Sequence, residues 1–204
     1  MNYDAPEVLA FAEQHTTGCT TERKKAVALY YAVRDGFLYD PYNLNFNKEG
    51  LRASNLVARK SGYCVEKSNL MATCCRAVGI PSRLSFYDVK NHIATEKLER
   101  ILGTNVLVFH GAAEIFLDDR WLKVTPVFNA SLCAKLGVQP LEFEGTSDAI
   151  FQSYTNDNAK FTEYLHDYGS FDEIPYDLML ATVKKAYPQI VPIFEAEGLH
   201  LRLA

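Results

Sequence analysis

The sequence predicts an α+β fold, with helices in the first third and an antiparallel sheet after them. Three observations carry that expectation. Apolar residues recur at helical spacing up to Val78. Beyond Pro81 the period becomes that of strands. No βαβ alternation joins the two regions. The 204 residues are 48% hydrophobic and 23% charged, a composition that excludes a disordered or collagen-like chain. The length suits a single domain.

Pro6 opens a short amphipathic helix that runs to Gln14. Thr21 caps a second one, Glu22 to Arg34, with Ala26, Val27, Tyr30 and Val33 on one face and Asp35-Gly36 as its stop. The stretch from Tyr39 to Gly50 is rich in Asn, Asp and Tyr and reads as a loop, and Leu51 to Lys60 as a short helix. The clearest helix begins after Gly62. Val65, Leu70, Met71, Cys74, Cys75 and Val78 make an apolar stripe, and Glu66 in the first turn suits the helix dipole. Gly79 ends this helix and Pro81 forbids its continuation. Ser82 to Asp88 then reads as a strand and Ile93 to Leu102 as a helix. Asn105 to Phe109, Ala112 to Leu117 and Trp121 to Thr125 read as strands, with Asp118-Asp119 as a hairpin turn. The tail from Ser147 is mixed, with a helix at Asp177 to Tyr187 bounded by Pro175 and Pro188.

Several function classes are disfavoured at this level. The formal charge is −4 and no basic block stands out, so neither nucleic acid nor an anionic membrane is expected as a partner. The N-terminus lacks a basic region followed by an apolar run, so it does not read as a secretory signal. No apolar stretch approaches the ~20 residues of a bilayer span. Five cysteines, two of them adjacent at Cys74 and Cys75, suit no simple disulfide framework, and a reduced, cytoplasmic protein is expected.

Two places carry candidate chemistry. Ser61-Gly62-Tyr63-Cys64 leads into the strongest helix, so the Cys64 thiol falls in the first turn, where unpaired N–H groups and the dipole stabilise a thiolate. Thiolate is the nucleophilic form. The competing reading is a small buried hydrophobe. Cys74 and Cys75 read as packing residues, and Cys19 and Cys133 have no evident partner. A two-residue turn at Asp118-Asp119 fixes a register in which opposed positions sum to 237. His110, Ala112, Thr125 and Val127 then share one face, and Thr125 is a diagonal neighbour of His110. Glu114 shares that face but is four residues along, roughly 13 Å at strand rise, too far to orient the imidazole. For His15, His92, His166 and His200 the structural reading stands.

The segments GYCVEKSNLMATCCRAVGIPSRL and HGAAEIFLDDRWLKVTP resemble the transglutaminase-like superfamily of cysteine proteases and acyltransferases. Gly62-Tyr63-Cys64 matches its nucleophile motif. Arg76, Gly79, Ile80, Pro81 and Arg83 match the helix exit, His110 and Glu114 the histidine strand, and Trp121 the second hairpin strand. The likeness covers roughly residues 20–130. It implies a papain-like arrangement, with the nucleophile helix packed on an antiparallel sheet. It also implies a catalytic set of Cys64, His110 and, at the position where the family usually has Asp, Thr125. A threonine hydroxyl can accept a hydrogen bond from the imidazole but supplies no charge, and Asn129 or a loop carboxylate are alternative orienting groups.

The expected protein is therefore a single domain, 1–204, with a core of about 20–130 and a C-terminal extension, 131–204, covering it. The expected function is thiol-based attack on an amide or acyl bond of a peptide, protein or small substrate, as protease, amidase or acyltransferase. No cofactor and no metal are expected, and oligomeric state is open. Two other readings compete: a binding module that has lost the chemistry, as the Asp-to-Thr change would allow, and a metal site built from Cys64, His110 and other cysteines.

Overall fold

The computed structural model describes residues 1–92, 96–150 and 161–202. Helix α1 spans Pro6–Thr16 and α2 spans Glu22–Gly36, the latter capped by Thr21, whose hydroxyl accepts from the Lys24 N–H at 3.2 Å. Gly36 is still helical, and the stop comes at the extended Phe37. The segment expected to be a loop contains two short strands. β1 (Leu38–Tyr39) pairs in parallel with β3 (Ser61–Gly62), which follows helix α3 (Ala53–Arg59). β2 (Asn43–Asn45) pairs antiparallel with β8 (His200–Arg202) from the far end of the chain. Partners so distant in sequence leave no local signal.

Helix α4, Cys64–Ala77, is the centre of the molecule. Every residue from Cys64 to Cys75 is buried, so the expected one-sided stripe is wrong: this helix is covered all round. Its polar residues are accommodated by specific bonds. Lys67 Nζ donates to the carbonyls of Arg34 (2.9 Å), Phe37 (2.7 Å) and Val127 (2.7 Å). Three acceptors match the three donors of an ammonium, although burial pushes its pKa down to about 7. Ser68 Oγ donates to Gly111 O at 2.9 Å, Thr73 to Asn69 O at 2.6 Å. The helix ends at Ala77, and Gly79, at φ +86°, turns the chain with the Ile80 N–H bonded to Cys75 O at 2.9 Å.

The sheet follows. β4 (Ser82–Asn91) leads to α5 (Glu96–Leu102), with residues 93–95 of the expected helix outside the described residues. β5 runs unbroken from Val106 to Leu117, where two separate strands were expected, and turns into β6 (Arg120–Val124). Leu117 pairs with Arg120 and Ala113 with Val124, the register that the two-residue turn predicts. Asp118 (φ 49°) and Asp119 (φ 61°) adopt the left-handed conformations that a type I′ turn requires.

After α6 (Ala130–Leu136), β7 (Thr162–Phe171) returns to pair with β4, so the antiparallel order is β6-β5-β4-β7. Neither α6 nor β7 was expected. β7 is a largely exposed edge strand with Gly169 and two register shifts, so its alternation is weak. Helix α7 (Tyr176–Ala186), a 3-10 turn (Pro188–Ile190) and α8 (Val191–Ala196) complete the chain before β8. Leu84, Phe86, Ala113, Ile115 and Val124 join α4 in the main core, while Tyr87, Val89 and Ala112 cluster on the other side of the sheet. No helix among the described residues is long and apolar enough to cross a membrane.

Candidate active site

Cys64 is the first residue of α4 and only 9% exposed. A capping box fixes its position: Glu66 Oε2 accepts the Tyr63 N–H at 3.2 Å, and the carboxylate is also paired with Arg59. His110 is buried in β5 and lines the same cavity as Cys64. What brings strand to helix is Gly111. A Cβ at this position would stand 3.0 Å from Val65 Cα and 3.3 Å from Cys64 O, so only glycine allows β5 to lie this close to the first turn of α4. Around the Cys64 sulfur, the backbone N–H groups of Gly111, Val65 and Cys64 itself act to lower its pKa.

Burial decides the protonation states. It pushes the Cys64 thiol up to about 11, and the three N–H donors only partly offset it. It pushes His110 down to about 3. The helix-start argument for a stable thiolate is thereby corrected: an enclosed sulfur loses more from desolvation than it gains from the helix terminus. At neutral pH the resting groups are a thiol and a neutral imidazole.

The strand that carries His110 is bent just ahead of it. Tyr87 pairs with His110 and Val89 with Leu107, so β5 has one residue more than β4 between these pairs, a β-bulge at Val108 and Phe109. Phe109 has φ 58°, a strained conformation for a large side chain. Side chains satisfy the amides released from the ladder. Asp88 Oδ1 accepts the Phe109 N–H at 3.0 Å, and Tyr168 Oη donates to that carboxylate at 3.0 Å. Tyr187 Oη accepts the Val108 N–H and donates to Val106 O, both at 2.8 Å. Sequence reasoning missed Asp88, Tyr168 and Tyr187. No local pattern marks them, because a bulge is visible only once the strands are paired.

Thr125 lies just past the last β5–β6 pair and is 2% exposed. Its N–H and Oγ1 both donate to Ala149 O, at 2.8 and 3.2 Å. The hydroxyl proton is thus committed to a carbonyl, and what Oγ1 offers elsewhere is lone pairs. Asn129 is engaged elsewhere: Oδ1 accepts the Tyr39 N–H at 3.1 Å and Nδ2 donates to Ser131 Oγ at 2.7 Å. Glu114 accepts from Arg83 Nε at 2.5 Å and from Ser170 Oγ at 2.8 Å, and the Arg83 guanidinium stands 4.2 Å from the Trp121 ring centre. Arg83, Glu114 and Trp121 therefore brace the sheet. Cys74 and Cys75 are fully buried packing residues, and none of the five cysteines is in a disulfide. Among the described residues no group of three or more His, Cys, Asp or Glu side chains could hold a metal ion.

A buried helix led by a cysteine and laid across an antiparallel sheet defines a broad class of thiol-bearing folds. Within it, the chain belongs to the transglutaminase-like superfamily, whose profile matches residues 9–126, more than half of the sequence. Among solved structures, a crystal structure of a TGase is 19% identical, with a TM-score of 0.43 over 61% of this chain and 31% of that one. A second, described as "a Putative Cysteine Protease from Cytophaga hutchinsonii", is 14% identical, with a TM-score of 0.45 over 83% of this chain and 50% of that one. The chain thus spans between about a third and one half of the length of these structures. Comparison with curated proteins gives no match.

Proposed function

We propose that the protein is a cysteine acyl-transfer enzyme, a hydrolase or transferase, in which Cys64 is the nucleophile, His110 the general base and acid, and Thr125 the group that orients His110. The observation that carries this reading is that Cys64 and His110 line one cavity, with Gly111, the residue directly after His110, packed against the first turn of α4. In the cavity they share, a neutral imidazole would act as general base on a neutral thiol once substrate is bound. As Sγ attacks the carbonyl carbon, the thiol proton passes to His110, which returns it to the leaving group. The Cys64 N–H, at the helix start, would stabilise the developing oxyanion. Thr125 would fill the place of the usual Asp as a pure acceptor, its own proton being held by Ala149 O.

In this proposal the whole chain works as one domain. Its C-terminal extension closes over the site, since Met179, Val183 and Tyr187 share the cavity with Cys64. Thiols held out of disulfides suit a reducing, cytoplasmic setting. A second reading, a binding module without chemistry, is favoured by the absence of a carboxylate at Thr125. Turnover of activated esters and thioesters separates the two. The expected result is an acyl adduct on Cys64, seen by peptide mass spectrometry, that Cys64→Ser and His110→Ala abolish. Turnover that survives both substitutions, or none with any ester or thioester, would sink the enzyme reading.

A further inference from the structure

The cavity over Cys64 has a definite chemical character. We infer that it is a subsite for a compact, uncharged aliphatic group, so that the acyl chain delivered to Cys64 is short and apolar. The inference rests on the proposed role of Cys64 as nucleophile and adds the class of substrate.

The cavity measures about 60 Å³. That is room for a small group of only a few non-hydrogen atoms. Leu44, Leu102, Leu107, Met179, Val183 and Ile190 form much of its wall, and among the described residues no Asp, Glu, Lys or Arg lines it. Two of the polar groups at its border, both tyrosine hydroxyls, are engaged by backbone. Tyr63 Oη donates to Asn45 O at 3.2 Å, and Tyr187 Oη is held between Val106 O and the Val108 N–H. Outside the lining, the Glu66 carboxyl is paired with Arg59, and the Asp88 carboxylate accepts from the Phe109 N–H and Tyr168 Oη. A charged group entering this space would lose its hydration and meet no counter-charge. A methylene would displace water and gain about fourfold in affinity for each one accommodated.

The acylation step balances without any further reactant. The Sγ–C bond forms, the bond from the carbonyl carbon to the leaving thiol sulfur breaks, and the Cys64 proton leaves on that thiol by way of His110. Water then cleaves the acyl-enzyme, and the carboxylate produced, being charged, is rejected by the same cavity.

The test pairs isosteric reagents at pH 7. Propyl and 2-aminoethyl methanethiosulfonate differ in charge at equal size, as do iodoacetamide and iodoacetate. Labelling of Cys64 is followed by peptide mass spectrometry, with the half-exposed Cys19 as internal reference. Relative to Cys19, the neutral partner should label Cys64 at least 30-fold faster in both pairs. Equal ratios at the two cysteines would overturn the inference. N-acylcysteamine thioesters form the second arm. Rates should rise from acetyl to butyryl, fall at least tenfold at hexanoyl and be lowest for succinyl. Met179→Ala, or Val183→Ala should the first fail to fold, should restore hexanoyl. Succinyl turned over as fast as butyryl overturns the inference and leaves the catalytic reading standing. Labelling that prefers neutral reagents with no thioester turned over upholds the subsite and overturns the catalytic reading instead.

Discussion

In the proposed mechanism, Thr125 is where a single side chain sets the terms of the site. The family's usual Asp at this position would bring a carboxylate against the Ala149 carbonyl, which here receives both the N–H and the hydroxyl of Thr125. A carboxylate has no proton to give to that oxygen, so the threonine fits its surroundings. Thr125→Val should cost only about 1 kcal/mol of stability, because the N–H bond to Ala149 remains. If Thr125 orients His110 as proposed, acylation of Cys64 should fall by a far larger factor, up to about 10⁴. Thr125→Asp should destabilise by about 1–3 kcal/mol and bring no gain in rate. Urea unfolding and the single-turnover acylation rate measure both effects. Unchanged acylation in the valine variant would remove Thr125 from the machinery. The identity of Thr125 was legible in the sequence, and so was the hairpin register up to its neighbour Val124, which pairs with Ala113. Its bond to Ala149 was not, since residues 24 apart meet only through the fold.

At the scale of elements, the proposed function depends on how β5 meets α4. Ser68 Oγ holds Gly111 O, Gly111 allows the approach, and the bulge at Val108 and Phe109 sets the strand's direction into His110. Gly111→Ala tests this contact. The added methyl meets backbone rather than a flexible side chain, so the first turn of α4 must shift by a few tenths of an ångström. A loss of about 1–3 kcal/mol is expected, together with slower acylation of Cys64. Wild-type values for both would mean that helix and strand are not held in register here. The hairpin, α1, α2, α4 and α7 could all be read from periodicity and punctuation, because each signal lies within a few residues. The strands β1, β2 and β7 could not. Two are very short, the third is an exposed edge, and their pairing partners lie far along the chain.

For the whole molecule, burial of two titratable groups shapes stability against pH. Glu66 is pushed up to about 7 by burial, against the pull of Arg59. Its contribution is full below about pH 4.5 and is lost as pH rises through 7. His110, pushed down to about 3, acts in the opposite sense: its contribution is full above about pH 6.5 and is lost as pH falls through 3. Between pH 4.5 and 6.5 the two slopes oppose each other. Glu66→Gln keeps an acceptor for the Tyr63 N–H but removes one slope. Its stability should therefore rise with pH across this window by about 1 kcal/mol per unit, where the wild type is nearly flat. Urea midpoints at pH 4.5, 5.5 and 6.5 read this directly, and a flat profile for the variant would exclude a buried neutral His110 as the source.

The sequence by itself determined the fold class, the helix that begins at Cys64, the hairpin register and the resemblance that picked out Cys64, His110 and Thr125. All of these rest on spacing within short windows, where period and turn chemistry act directly. Tertiary structure decided the rest. It enclosed α4 on every side, raised the Cys64 pKa instead of lowering it, and brought Tyr187 onto the strand that carries His110. Desolvation is the common reason. It depends on everything that surrounds a group, and what surrounds Cys64 comes from both ends of the sequence.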